Sequence, residues 1–176
     1  MNPSETPTSP PRRVLFVCSG NTCRSPMAEI LARSLASSVD LEPLEIRSAG
    51  THARSGLPAS EGARRVVERH GYSLDQHRSA SLTPELVEWA DVILAMSTGH
   101  LEQIRAFGGS GKAHLLGRFA QGRPREGDTL AGTDGDEDLS VPDPFGGDDQ
   151  VYEETFLALG RYLQMALSRM AEDWNV

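Results

Sequence analysis

Residues 13–17, RVLFV, run straight into CSGNTCRS at 18–25, after which Met27, Ile30, Leu31 and Leu35 fall on one helical face. An oily run that turns into a helix through small polar residues reads as a buried strand followed by a crossover. The pattern recurs along the chain. PLEIRSAG (43–50) reads as a second strand, and Pro58–His70, carrying Ala63, Val66 and Val67 and stopping at Gly71, as a helix with a glycine cap. Thr83 and Pro84 start a helix through ELVEWA, DVILAM (91–96) is a third strand, and Ser97–Thr98 open a short helix ending before Gly108 and Gly109. AHLL (113–116) is a fourth strand, and Phe156, Leu159, Leu163, Ala166 and Met170 mark a final amphipathic helix from Tyr152. Strands separated by helices place the chain in the α/β class, with a parallel sheet covered on both faces. Ligands of such sheets lie beyond the carboxyl ends of the strands, where residues 18–25 fall.

Two stretches stand outside this pattern. Residues 1–12, MNPSETPTSPPR, hold four prolines among Ser and Thr and read as a disordered tail, leaving one domain over 13–176. Residues 117–149 are rich in Gly and Asp, so a long loop is expected there, with an acidic part from Glu126 to Asp138. At 176 residues the chain suits a single core. Only 38% of residues are hydrophobic and no run approaches the roughly 18 apolar residues of a membrane helix, so no membrane association is expected. A net charge of −8 argues against nucleic acid as a partner. Two cysteines, both in the opening stretch, suit a reducing compartment, and the expectation is a cytoplasmic monomer.

The cysteine loop has its own chemistry. Small residues after a strand let successive N–H groups point inward, and the following helix adds the positive end of its dipole, so the bend forms a nest for a phosphate. Arg24 adds a two-pronged grip on phosphate oxygens. Cys18 would sit on the floor of the nest, where the same groups stabilise a thiolate, and a thiolate facing phosphorus is a nucleophile.

Cys, five residues, Arg, Ser, in CSGNTCRSP directly after the first strand, resembles the low-molecular-weight protein tyrosine phosphatase family. The resemblance continues through SAGTHA, His77 in LDQHRSASLT, ADVILAM, and DPFGG before the last helix. It implies a flavodoxin-like three-layer sandwich with a four-stranded parallel sheet, and a two-step mechanism without metal or cofactor. Cys18 would form a phosphocysteine, with Arg24 and the amides of Ser19, Gly20, Asn21, Thr22, Cys23 and Ser25 holding the phosphoryl oxygens. Asp143 would protonate the leaving group and then activate water, and Ser25 would hydrogen-bond the sulfur. Gly20 and Asn21 suit positive φ, and His77 matches the family's buried histidine that braces the loop through the asparagine and serine.

Substrate preference within the resemblance turns on Thr22 and Phe145. Tyrosine-directed members usually carry an aliphatic residue at the first position and tyrosine or tryptophan at the second; GNTCRSPMAE with DPFGG is more similar to the protein arginine phosphatases. Phosphoarginine presents a flat polar guanidinium that a branched aliphatic side chain would crowd and desolvate, whereas threonine is able to accept a hydrogen bond. Asp143 could bind that guanidinium and protonate its nitrogen, and Phe145 would supply one apolar wall. No aromatic residue lies within 52–56 to supply a second, and Ser19 departs from the threonine or leucine expected after the nucleophile. The expected partners are phosphorylated proteins carrying phosphoarginine, with phosphotyrosine as the alternative.

Other readings are weaker. Cys23 either fills space or pairs with Cys18 under oxidation. A zinc site built from both cysteines with His52, His70, His77, His100 or His114 lacks a second close ligand pair. Arsenate reductases share the loop but need a further cysteine, and none follows residue 23. A flavin- or phosphate-binding module would not need Cys18, Arg24, Ser25 and Asp143 together.

Overall fold

The computed structural model describes residues 10–39, 41, 43–122 and 139–174. Strand β1 (Arg12–Cys18) is followed by α1 (Arg24–Ala36), β2 (Leu44–Gly50), α2 (Glu61–Arg69), α3 (Pro84–Trp89) and β3 (Val92–Ala95). Then come α4 (Thr98–Ala106), β4 (Ala113–Leu115), α5 (Leu116–Ala120) and α6 (Asp149–Trp174). The strands form one parallel sheet in the order β2-β1-β3-β4. From β1 the chain goes outward to β2 and then crosses to β3 on the other flank, which makes the carboxyl end of β1 the switch point of the sheet. This is the flavodoxin-like three-layer α/β arrangement expected.

β1 is central, and its side chains alternate between two cores. Val14, Phe16 and Cys18 pack with Met27 and Leu31 of α1 and Phe156, Leu159 and Leu163 of α6. Leu15 and Val17 pack with Val87 of α3 and Leu101 and Ile104 of α4. Both faces are covered, which is why the strand shows no polar alternation. The first turn of α2 is capped by the Ser60 hydroxyl, which accepts from the Ala63 N–H at 3.3 Å, and Thr83 caps α3 through the Leu86 N–H at 3.2 Å.

Several boundaries differ from the sequence-based ones. β1 opens at Arg12, whose N–H donates to the Pro43 carbonyl at 3.1 Å, so sheet pairing claims a residue that composition assigns to the tail. Residues 1–9 lie outside the described residues, as does the acidic stretch 126–138. α2 starts at Glu61 rather than Pro58 because Ser60 makes the cap, and α6 starts at Asp149, three residues before the first buried position. α5 occupies part of the expected loop. It is one turn long, too short for a periodic signal, and it is held by burial of Leu116 and Ala120 and by Gly117, where an added Cβ would lie 2.9 Å from Leu139 Cβ.

Candidate active site

Between the end of β1 and the start of α1 the chain crosses in five residues. Every carbonyl along this bend except that of Gly20 is turned outward to a named donor. Thr51 N–H and His52 N–H reach the carbonyls of Cys18 and Ser19, each at 2.9 Å, Ser60 N–H reaches that of Thr22 at 2.9 Å, and Met27 N–H that of Cys23 at 3.3 Å. His77 Nε2 donates to the Asn21 carbonyl at 2.7 Å. Among the described residues, by contrast, nothing accepts from the amides of residues 20–23. With the carbonyls pointed away, the N–H groups converge, and α1 begins at Arg24 with no side chain capping it. The result is a concave set of donors at the positive end of a helix, built for an anion.

Asn21 makes the bend possible. Among the described residues it alone, apart from glycines, has positive φ, at 54°. Its Oδ1 accepts from the Ala80 N–H at 2.8 Å, and because that donor cannot reverse, its Nδ2 must donate, to Ser25 Oγ at 2.8 Å and Ser48 Oγ at 2.9 Å. The polarity then propagates. Ser48 Oγ in turn donates to Glu29 Oε2 at 2.5 Å, and Ser25 Oγ, with its own proton left to donate, lies 2.9 Å from Cys18 Sγ. Expectation fails at two details. Gly20 is not in the left-handed region; the close approach instead falls at Gly50, where a Cβ would lie 2.9 Å from the Asn21 nitrogen. His77 is half-buried rather than buried and supports the loop through the Asn21 carbonyl, while Ser25 is held by the asparagine amide.

The second half of the site comes from beyond the last loop. Val141 N–H donates to the Met96 carbonyl at 2.7 Å, and Met96 N–H to Val17 at 3.0 Å, so the Asp-Pro segment is tied to the sheet just past β3. Arg24 then bridges the halves, donating to the Val141 carbonyl at 3.1 Å while its second nitrogen lies 3.5 Å from Asp143 Oδ2. Arg24 is 6% exposed and Asp143 51%, so the guanidinium is fixed by packing and the carboxylate faces solvent. Asp143 Oδ1 also accepts from Phe145 N–H at 3.1 Å, closing a turn that leaves the ring 76% exposed at the rim.

A cavity of about 220 Å³ is lined by Cys18, Ser19, Gly20, Thr22, Cys23, Arg24, Asp143 and Phe145. These are eight of the residues expected from sequence; Asn21, Ser25 and His77 support them from beneath. Cys23 turns its sulfur away from this role, donating to Ser60 Oγ at 3.2 Å and lying 3.4 Å from the Tyr152 hydroxyl. Burial and the Cys23 contact push the Tyr152 hydroxyl up to about 12. A second cavity of about 190 Å³, lined by Pro26, Glu29, Ile30, Arg33, Leu74 and His77 among others, contains neither cysteine.

A nucleophilic sulfur with one hydrogen-bond donor, a nest of amides, a fixed guanidinium and a solvent-facing carboxyl are the parts needed to take a phosphoryl group and release it to water. The low molecular weight phosphotyrosine protein phosphatase family matches residues 13–175. The chain belongs to that family. It is similar to a protein-arginine-phosphatase of Geobacillus stearothermophilus, 38% identical over 164 residues covering 92% of this chain and 95% of that one. It is 31% identical over 160 residues to the low molecular weight protein-tyrosine-phosphatase Etp of Escherichia coli (strain K12), with 90% and 94% covered. A solved mutant of YwlE arginine phosphatase, cysteine to serine with a phosphorylated active-site serine, superposes with a TM-score of 0.77 at 32% identity, covering 93% of this chain and 98% of that one. Within the family, this chain is a cysteine-based protein phosphatase. Among the described residues no helix is long and apolar enough to cross a membrane.

Sequence reasoning missed three contributors to the site: Glu29, Tyr152 and His100. Each reaches the loop through the fold, and only His100 carries a local signal, the third helical position after Ser97, where a side chain folds back on the N-cap. Ser97 N–H donates to His100 Nδ1 at 3.1 Å, so in the neutral ring Nε2 carries the proton and donates to Ser19 Oγ at 2.9 Å. Burial, and then the charge of Arg24, lower this histidine from 6.5 to about 4. Between those values the unfolded chain binds a proton that the folded one refuses, so the stability present above pH 6.5 is lost as pH falls towards 4. About 2 kcal/mol is expected to go between pH 7 and pH 5, read from urea midpoints, and His100→Gln is expected to flatten that part of the profile.

Proposed function

We propose that this phosphatase hydrolyses phosphoarginine on proteins through a phosphocysteine at Cys18. The observation that carries the reading is the company of Thr22 in the cavity: a hydroxyl-bearing side chain stands beside the nucleophile and Asp143, and Phe145 is the one aromatic lining residue. A flat, polar guanidinium next to phosphorus needs an acceptor and a carboxylate nearby, and it gains little from the aromatic sandwich that suits a phenyl ring. The protein-arginine-phosphatase of Geobacillus stearothermophilus, similar over most of its length, supports the same choice.

In this reading Cys18 attacks phosphorus as the bond to the guanidinium nitrogen breaks. Asp143 delivers a proton to that nitrogen, while Arg24 and the loop amides hold the three equatorial oxygens. Asp143 then takes a proton from water, which attacks the phosphocysteine, and the Ser25 proton stabilises the departing sulfur. Ser19, Gly20, Asn21, Thr22, Cys23 and Ser25 form the phosphate-binding loop, with His77 holding it from outside. Two free thiols, both in this loop, support a reducing, cytoplasmic setting.

Turnover of phosphoarginine and phosphotyrosine peptides by the wild type and Thr22→Ile tests the substrate. The wild type is expected to favour phosphoarginine, and the isoleucine variant to shift the kcat/KM ratio about tenfold or more towards phosphotyrosine. A wild type that prefers phosphotyrosine overturns the assignment and moves this protein to the tyrosine-directed members, of which Etp is a similar relative.

A further inference from the structure

We infer that His100 is a positioning residue for phosphate binding: through Nε2–H it turns the Ser19 hydroxyl so that its single proton points at a phosphoryl oxygen in the loop. The inference rests on the phosphatase reading above and adds to it a residue from the opposite face of the sheet.

Ser97 N–H is a backbone donor, so the nitrogen facing it at 3.1 Å must accept. The proton of the neutral ring is therefore on Nε2, which lies 2.9 Å from Ser19 Oγ. With one lone pair of Ser19 engaged, its own proton has to go elsewhere. Ser19 lines the same cavity as Cys18, Thr22 and Arg24, and no other described hydrogen bond involves its hydroxyl.

Rigidity favours the same conclusion. A serine side chain has three comparable rotamers and, unlike threonine, no branch at Cβ to choose among them. Something outside must hold it. His100 is itself 4% exposed and held at Nδ1 by Ser97 in the first turn of α4. Its burial keeps the ring neutral at physiological pH, so the donor is present without a competing positive charge.

Equilibrium binding of inorganic phosphate, together with kcat and KM for p-nitrophenyl phosphate, separates this role from bulk packing. Ser19→Ala and His100→Leu are each expected to weaken phosphate about tenfold, the effect of losing one hydrogen bond to a charged group. His100→Leu added to Ser19→Ala is expected to cost nothing more, because its effect passes through the hydroxyl. His100→Gln, whose amide nitrogen falls near Nε2, is expected to stay within about twofold of the wild type. Equal losses from His100→Leu with and without Ser19 overturn the inference. Should the leucine variant not fold, His100→Gln and His100→Asn decide the matter, since asparagine reaches only the Nδ1 position; glutamine binding phosphate no better than asparagine overturns it. A wild type that binds no phosphate and hydrolyses no p-nitrophenyl phosphate removes the phosphatase reading as well. Binding with additive losses removes the His100 assignment alone.

Discussion

Cys18→Ser is expected to leave a folded protein that still binds phosphate but turns over phosphoarginine peptides and p-nitrophenyl phosphate roughly 10⁴-fold or more slowly. The substitution is nearly isosteric and Cys18 is 2% exposed, so the packing beneath the loop has little reason to change. What changes is the nucleophile. A thiol gives up its proton far more readily than a serine hydroxyl, and sulfur is the better nucleophile towards phosphorus. The leaving step suffers too, because the hydrogen bond that Ser25 Oγ offers from 2.9 Å stabilises a departing thiolate far better than it could rescue an alkoxide. Steady-state assays beside phosphate titration read both halves of the expectation. Turnover within tenfold of the wild type would sink the covalent route through Cys18, whatever the substrate.

Replacing Asn21 with alanine carries the largest expected cost in stability, about 3–5 kcal/mol from urea midpoints. The buried amide serves three partners at once: it accepts from Ala80 and donates to Ser25 and Ser48, the last of which in turn donates to Glu29. Alanine leaves two buried hydroxyls and one N–H short of a partner and places a Cβ without polar compensation at φ 54°. Asn21→Gly, which loses the same bonds but is free of the strain that a Cβ brings at positive φ, is expected to recover about 1 kcal/mol of the loss. Both variants are expected to lose most phosphate affinity, since Ser25 is no longer aimed at Cys18 and the loop amides are free to diverge. An alanine variant within about 1 kcal/mol of the wild type would show that the loop is held by its ends rather than by this side chain.

The chemistry of the loop was legible because it is contiguous. Cys18 to Ser25 supplies nucleophile, amides, guanidinium and hydroxyl within eight residues, and strand-to-helix spacing around them tells which way the N–H groups face. Asp143 and Phe145 were legible only through resemblance, because an Asp-Pro pair in a glycine-rich loop is by itself an ordinary turn. The path that brings Asp143 to Arg24 runs through the Val141–Met96 backbone bond, which no local pattern announces. Helix α5 was missed because one turn buries too few side chains to make a period.

The amino-acid sequence by itself determined the α/β class, the four strands, and which contiguous groups are the candidates for handling phosphate, since these follow from hydrophobic spacing and from residues adjacent along the chain. Only the tertiary structure decided which protons point where. Ser48 lies 27 positions from Asn21, His100 81 from Ser19, and Tyr152 129 from Cys23, and each meets the loop because the parallel crossovers gather strand ends at one edge of the sheet. Hydrogen-bond direction is set by the partner across a contact, and contacts between residues far apart in sequence exist only once the chain has folded.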